Sequence, residues 1–220
     1  MPRPTFHKLK KEKKERVINA LLAEFTYHNF DDASITAVVK VLGIAKGSMY
    51  QYFEDKKDIF FFLIEHCGNI KKEFIKDLDR DDYPDFWSYL RAVYDHGFDM
   101  LAQYPLESAF LHLLMQNMNA PSLEGVFPAM KKQAIEQMQI WVEPEVKKGE
   151  FRTDLSIKQL AFYLYTIGSS LIDYLIEFHD LDIKENVKQG KKVYGASNSK
   201  EKFMATVDAN ILFLKKAMNA

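Results

Sequence analysis

The stretch SITAVVKVLGIAKGSMYQYFEDKKDI, residues 34–59, reads as two short helices joined by a tight turn and followed by the capped start of a third. Ser34 is an N-cap whose hydroxyl can accept from a free N–H of the first helical turn. Ile35, Val38, Val39 and Leu42 fall at i, i+3, i+4 and i+7, one apolar stripe on a short helix. Gly43 suits the left-handed backbone that ends a helix and turns the chain, and Ile44 anchors the turn in a core. Residues 46–53 then form a second helix with Met49 and Phe53 facing inward. Lys46, Gly47, Ser48, Tyr50 and Gln51 are left for its outer face. Asp55 can cap the next helix. Lys56 sits in that helix's first turn, where a positive charge opposes the dipole, a conflict that a phosphate docked there would relieve.

This is the layout of a helix-turn-helix, which places its second helix in a DNA major groove. The small residues Gly47 and Ser48 let a backbone approach a duplex, and Tyr50 and Tyr52 can donate to phosphate oxygens. A cap, a stripe and a glycine also suit any helical hairpin in a bundle.

Residues 10–60 resemble the DNA-binding domain of the TetR/AcrR family of one-component transcriptional regulators. The run RVINALLAEFTYHNFDDASI has Ala20, Phe25, Phe30 and Ser34 at the places that the family's first helix expects. Gly43-Ile44 and the run from Lys46 to Phe53 match its turn and recognition helix position by position, and Lys56-Lys57-Asp58-Ile59 fits the opening of its next helix. Two positions depart from the pattern. Ala45 stands where a Ser or Thr usually caps the recognition helix, which costs roughly 1 kcal/mol of local stability. Ala37 stands where many members carry a residue able to reach a base, so base contacts are expected mainly from the recognition helix. The candidate DNA-contacting residues are Arg3, Ser34, Thr36, Lys46, Gly47, Ser48, Tyr50, Gln51, Tyr52 and Lys56.

Charge is distributed in the same sense. Residues 1–60 carry eleven Lys and Arg against eight Asp and Glu, a net of +3, and the remainder carries nineteen against twenty-three, a net of −4, giving −1 for the 220-residue chain. A basic head on an acidic body suits a module that docks nucleic acid at one end. The N-terminal segment Pro2-Arg3-Pro4-Thr5-Phe6 is expected to be extended, because proline disfavours helix in the residue before it. Arg3 is then free to reach a minor groove. Lys8, Lys10, Lys11, Lys13, Lys14 and Arg16 either pair with phosphates or form a solvated face interleaved with Glu12 and Glu15. Each phosphate neutralised steepens the salt dependence by about 0.9 log unit per log unit of salt.

Cys67 is the only cysteine. An intrachain disulfide is excluded, a reducing cytoplasm is expected, and its apolar surroundings favour a buried inert thiol. Residues 59–64 form the longest apolar run, much too short to cross a bilayer; no signal peptide or membrane association is expected.

Beyond residue 56 helical periodicity dominates. Helices are expected over about 56–77, 86–103, 106–117, 122–148 (kinked near Pro144), 157–179 and 200–218, with a polar loop or frayed end over 182–199. The phrase Gly149-Glu150-Phe151-Arg152 with Asp154-Leu155 also resembles the loop before the last long helices of many family members. Leu160, Leu164, Ile167, Leu171 and Leu175 line one side of the helix over 157–179, and Ala161, Tyr165, Gly168 and Ile172 another, so it needs burial on both sides. Phe203, Val207, Ile211 and Leu214 make a matching stripe in the last helix. The resemblance implies that these two helices pair with those of a second subunit in a four-helix bundle, and a homodimer reading two half-sites of a palindromic double-stranded DNA operator follows.

The resemblance also implies a small-molecule effector. Large flexible or aromatic residues that could line its pocket are Trp87, Tyr94, Phe98, Phe110, Met115, Met118, Met138, Trp141 and Tyr165, which favour a largely apolar ligand. No phosphate loop, His-Glu-x-x-His or zinc-spaced Cys/His cluster is present in the sequence, so no cofactor, metal site or enzymatic activity is expected. The resulting expectation is an all-α chain. Residues 1–55 form a helix-turn-helix DNA-binding domain with a basic arm, and residues 56–220 a larger helical effector-binding and dimerisation domain. Its function is that of a transcriptional repressor released from its operator by the effector. The alternative is a helical ligand-binding or protein-interaction module without sequence-specific DNA binding.

Overall fold

The capping chemistry around Ser34 sets the geometry of the N-terminal helices. In the computed structural model, which describes residues 2–114, 121–190 and 200–220, the short helix α1 (Pro4–His7) precedes α2 (Lys11–Tyr27), α3 (Ile35–Leu42) and α4 (Lys46–Tyr52). The Ser34 hydroxyl accepts from the Ala37 N–H at 3.3 Å, and the Ser34 N–H donates to Glu24 of α2 at 2.7 Å. One residue thus starts α3 and is held by α2. Gly43 is left-handed, with φ +66°; its N–H donates to Lys40 and that of Ile44 to Val39, satisfying carbonyls at the end of α3. Then follow α5 (Lys56–Ile75), α6 (Phe86–Gln103), α7 (Pro105–Leu113), α8 (Val126–Lys148), α9 (Ile157–Phe178), α10 (Ile183–Lys188) and α11 (Lys200–Met218). The fold is all-α, an N-terminal helix-turn-helix followed by a larger helical part; the described residues form no strand beyond an isolated bridge between Phe151 and Asn219.

The chain divides into two compact units. The first holds α1 to α4, α5 as far as Phe74, α7 and α10. Its core is aromatic: Phe30 lies 6.1 Å from Phe25 and 5.1 Å from Phe60, and Phe60 lies 5.7 Å from Phe110. Asp55 caps α5 by accepting from the Asp58 N–H at 2.8 Å, while Asp58 accepts from the Glu54 N–H at 3.1 Å.

The second unit holds α6 as far as Asp99, α8, α9 and α11. Phe86, Trp87, Tyr89, Leu90, Val142, Phe151, Leu160, Leu164, Leu214 and Met218 form its core. Ser156 and Gln159 make a reciprocal capping box at the start of α9. The Glu145 carboxylate, 1% exposed, is held by the Arg80 guanidinium through two bonds of 3.0 and 2.9 Å. Among the described residues, four ion pairs run along the seam between α11 and α6 with its preceding residue Asp85. Asp85 meets Lys215 at 3.2 Å, Arg91 meets Asp208 at 2.6 Å, and Lys200 reaches both Asp95 and Asp99 at 3.0 Å.

Several elements differ from the sequence reading. Residues 4–7 are helical rather than extended. Pro4 occupies the first helical turn, where its fixed φ favours helix, and only Arg3 before it is extended. α8 begins at Val126 rather than at 122, because a 3-10 turn over Pro121–Leu123 and a left-handed Gly125 intervene. Its C-terminal end at Lys148, beyond Pro144, agrees with the sequence reading, and the Glu145 carbonyl there takes the N–H groups of both Glu150 and Phe151. Part of the expected polar loop is helix α10; positions 191–199, and Met115 and Met118, lie outside the described residues.

Candidate nucleic-acid interface and effector region

α4 buries Met49 and Tyr52 and exposes Lys46, Gly47, Tyr50 and Gln51, with Ser48 half-buried between. The helical period alone produces this division, since Met49 and Tyr52 are three residues apart. A Cβ added at Gly47 would meet nothing within 4 Å, so packing within the chain does not require glycine there. On α3, Thr36, Ala37, Lys40 and Val41 are exposed, Val41 by 78%. Ala45 makes no side-chain cap bond to α4.

Not every candidate DNA contact lies on that outer face. Arg3, Ser34, Thr36, Lys46, Gly47, Tyr50 and Gln51 are exposed. The Tyr52 ring points inward, 6.0 Å from that of Phe6. Lys56 is half-buried. Its ammonium donates to the carbonyls of Asp31 at 3.0 Å and Ala33 at 3.1 Å and lies 4.8 Å from the centre of the Phe30 ring. Its charge is therefore balanced by carbonyl oxygens of the loop between α2 and α3.

Positive charge flanks the helix-turn-helix. A shallow cleft of about 200 Å³ beside the α3–α4 turn is lined by Lys10, Glu12, Lys13, Arg16, Val17, Leu42 and Ile44. Lys10, at the start of α2, makes no side-chain cap bond, and Lys10, Lys13 and Arg16 outnumber Glu12 in the cleft lining, so its net charge is positive. Lys14 is engaged otherwise, over the Phe6 ring at 5.3 Å.

Sequence reasoning missed three residues that organise this region: Glu24, which orients Ser34, and Thr5 and Phe6, which dock α1 against α4. The Thr5 hydroxyl donates to the Gln51 carbonyl, and Phe6 is fully buried. Pro4 at the head of a short run containing a lone phenylalanine was the available signal.

The nominated effector-pocket residues separate into groups. Trp87, Tyr94, Met138 and Trp141 gather at the core of the second unit. Trp87 is buried there and donates to the Asn219 side chain at 2.9 Å; Trp141 packs 5.7 Å from Tyr89. Burial pushes the Tyr94 hydroxyl up to about 12, and a Cβ at Gly168 would come within 2.8 Å of it. Burial also raises Tyr165. Phe98 lies 5.2 Å from Phe203. Phe110 instead belongs to the aromatic core of the first unit. In that unit an open cleft of about 310 Å³ is lined by other residues: His66, Asn69, Ile70, Glu73, Phe74 and Tyr104.

Among the described residues no group of three His, Cys, Asp or Glu is placed to hold a metal ion, and no helix is long and apolar enough to cross a membrane. Large apolar side chains stand exposed on α9 (Phe162, Tyr163, Tyr174, Ile176 and Phe178) and on α11 (Leu212 and Phe213).

Residues 17–62 match the model of the bacterial regulatory proteins of the tetR family. An HTH-type transcriptional regulator of Staphylococcus aureus is 25% identical over 101 residues, which are 46% of this chain and 52% of that protein. The chain thus spans about half the length of the curated relatives it matches. A TetR family transcriptional regulator from Chloroflexus aurantiacus has a similar structure, with a TM-score of 0.77 and 27% identity over 100% of this chain and 99% of that one. The likeness to SmeT in its triclosan complex, with a TM-score of 0.65 and 17% identity over 96% of this chain and 93% of that one, concerns the fold alone; SmeT is the repressor of a Stenotrophomonas maltophilia multidrug efflux pump.

Proposed function

We propose that this chain, whose residues 17–62 match the model of the bacterial regulatory proteins of the tetR family, is a homodimeric repressor of that kind, released from a palindromic operator by a small, largely apolar effector. Such regulators are generally not enzymes. In this proposal residues 1–55 read DNA, residues 56–220 bind effector and dimerise, and the protein acts in the cytoplasm, where its DNA is.

The observation that carries the DNA reading is the outer face of α4. Lys46, Gly47, Tyr50 and Gln51 are presented to solvent by a helix whose opposite face is anchored through Met49 and Tyr52. Lys46 supplies charge, Gly47 allows close approach, and Tyr50 and Gln51 supply hydrogen-bonding groups for phosphate or base edges. Dimerisation is supported by the apolar side chains exposed on α9 and α11, Phe178 by 69% and Phe213 by 62%, a surface that water disfavours and a second copy would cover. The resemblance to the family supports an effector, and the aromatic content of the second unit, where Tyr94 and Tyr165 are half-buried, supports an apolar one. DNA and effector would then favour different arrangements of the two reading heads, and the coupling is reciprocal.

The test is fluorescence anisotropy with the DNA upstream of the protein's own gene against scrambled DNA, over a salt series, with Lys46→Ala and Tyr50→Ala. Tight binding to the upstream DNA alone, lost in both variants, is expected. Weak, equal binding to both DNAs and a wider operator search without a hit would favour the alternative, a helical interaction module that does not read sequence.

A further inference from the structure

The recognition helix lacks the devices that usually hold a short helix in place. α4 has seven residues, about two turns, and helices of that length are unstable alone in water. No side chain caps its N-terminus at Ala45. At its other end Phe53 is extended, not a left-handed glycine, so the last carbonyls need partners from elsewhere.

Those partners come from residues 3–6. The Arg3 N–H donates to the Tyr52 carbonyl at 2.8 Å, and the Thr5 hydroxyl donates to the Gln51 carbonyl. The next side chain, Phe6, is fully buried. Its ring lies 4.9 Å from Phe53, 5.3 Å from Phe62 of α5 and 6.0 Å from Tyr52. The contact thus joins the end of α4 to α5 through one aromatic side chain, and the Lys14 ammonium covers that ring from α2.

We propose that residues 3–6 are a brace for the recognition helix, and that Phe6 is a positioning residue for DNA reading, although it touches no DNA itself. This rests on the proposal that α4 reads DNA. The brace fixes the direction of α4 before the duplex arrives, so the ordering cost is met in the fold and not at binding. It also gives the N-terminal segment a role distinct from an arm in the minor groove. The backbone of Arg3 serves the helix, while its exposed side chain stays available to phosphate.

The experiment combines amide hydrogen exchange with operator binding over a salt series, on Phe6→Ala, Phe6→Leu, Thr5→Val and Arg3→Ala. Phe6→Ala is expected to speed exchange in α4 about tenfold while amides in the middle of α2 keep their protection, since a local brace fails locally. Operator affinity should fall about tenfold with an unchanged salt slope, because no phosphate contact is lost. Phe6→Leu should restore most of both, and Thr5→Val, which leaves the core intact, should show a smaller loss of the same kind. Arg3→Ala keeps its backbone N–H and should leave exchange in α4 unaltered. Wild-type exchange rates in α4 of Phe6→Ala, or equal acceleration in α2, would overturn the brace. A normal brace by exchange, with no operator preference in the wild type, would instead remove the DNA reading and with it the positioning role.

Discussion

Replacing Lys56 with methionine separates two roles open to one ammonium group. If the charge serves the fold, its loss removes the bonds to the Asp31 and Ala33 carbonyls, at 3.0 and 3.1 Å, and the contact with Phe30 at 4.8 Å. Charge-assisted hydrogen bonds reach about 1.5–3 kcal/mol when sheltered. The Asp31 bond is exposed and the Ala33 bond only half-sheltered, so about 0.5 and about 1 kcal/mol are appropriate after screening. The ring contributes about 0.5 kcal/mol more, and the methionine stem still packs on Phe30. The net expectation is a loss of about 2 kcal/mol, or a melting temperature lower by about 4–8 °C for a chain of this size. Thermal melts followed by far-ultraviolet circular dichroism measure this, and anisotropy over a salt series measures the other role. The slope of log affinity against log salt should not change. An unchanged melt together with a slope shallower by about 0.9 would refute the reasoning and give Lys56 to a phosphate.

Arg80→Met leaves the Glu145 carboxylate buried with Lys148, 3.9 Å away, as its one remaining cationic partner among the described residues, and should cost about 3 kcal/mol in urea denaturation. Adding Glu145→Met should recover most of that loss, and a double variant as unstable as the single one would contradict the account. Gly168→Ala places a methyl group 2.8 Å from the Tyr94 hydroxyl and should destabilise by about 1–2 kcal/mol; Tyr94→Phe in the same chain should relieve it, and a neutral Gly168→Ala would argue against close approach. The Cys67 thiol is pushed up by burial and by the neighbouring Glu107 charge. It should resist a thiol reagent at mildly alkaline pH until denaturant is added, and prompt reaction of the folded protein would contradict its burial. His112 is held down to about 4, first by burial and then by the Lys71 charge, from an ordinary 6.5. A base depressed in the folded state takes up its proton on unfolding, so this contribution is present above pH 6.5 and is lost as pH falls towards 4, by on the order of 3 kcal/mol. His112→Phe should flatten the stability profile over that window, and an unaltered profile would assign the acid sensitivity elsewhere.

What the sequence made legible was chemistry confined to a few adjacent residues. Ser34 and Gly43 bound α3 because a cap and a left-handed turn depend on their own backbone neighbours. The outer face of α4 followed from period alone, except at Tyr52, whose ring is turned inward against Phe6. What stayed hidden depends on partners distant in sequence. Neither Glu24 nor Phe6 announces its role locally, since each acts on a residue brought to it only by folding. Lys56 was read against its own helix dipole, whereas its ammonium reaches back to carbonyls before α3. The aromatic residues nominated for an effector could not be sorted by sequence into core and cavity lining, because a buried Trp87 and a ligand-facing one have the same composition and spacing.

The ion pairs between α6 and α11 have a consequence beyond stabilisation. Exposed pairs of this kind each contribute little, yet their order along the seam discriminates. On one side of the antiparallel seam stand Asp85, just before α6, and Arg91, Asp95 and Asp99 of α6, and on the other Lys215, Asp208 and Lys200 of α11. Slide α11 by about two helical turns in one direction and Asp208 approaches Asp85. Slide it the other way and Lys215 approaches Arg91 while Asp208 nears the carboxylates of Asp95 and Asp99. Every misalignment of that size replaces attraction by repulsion, so the pattern works as a vernier. It adds modestly to the depth of the native well but raises the neighbouring ones, and so sets the register of the last helix by exclusion.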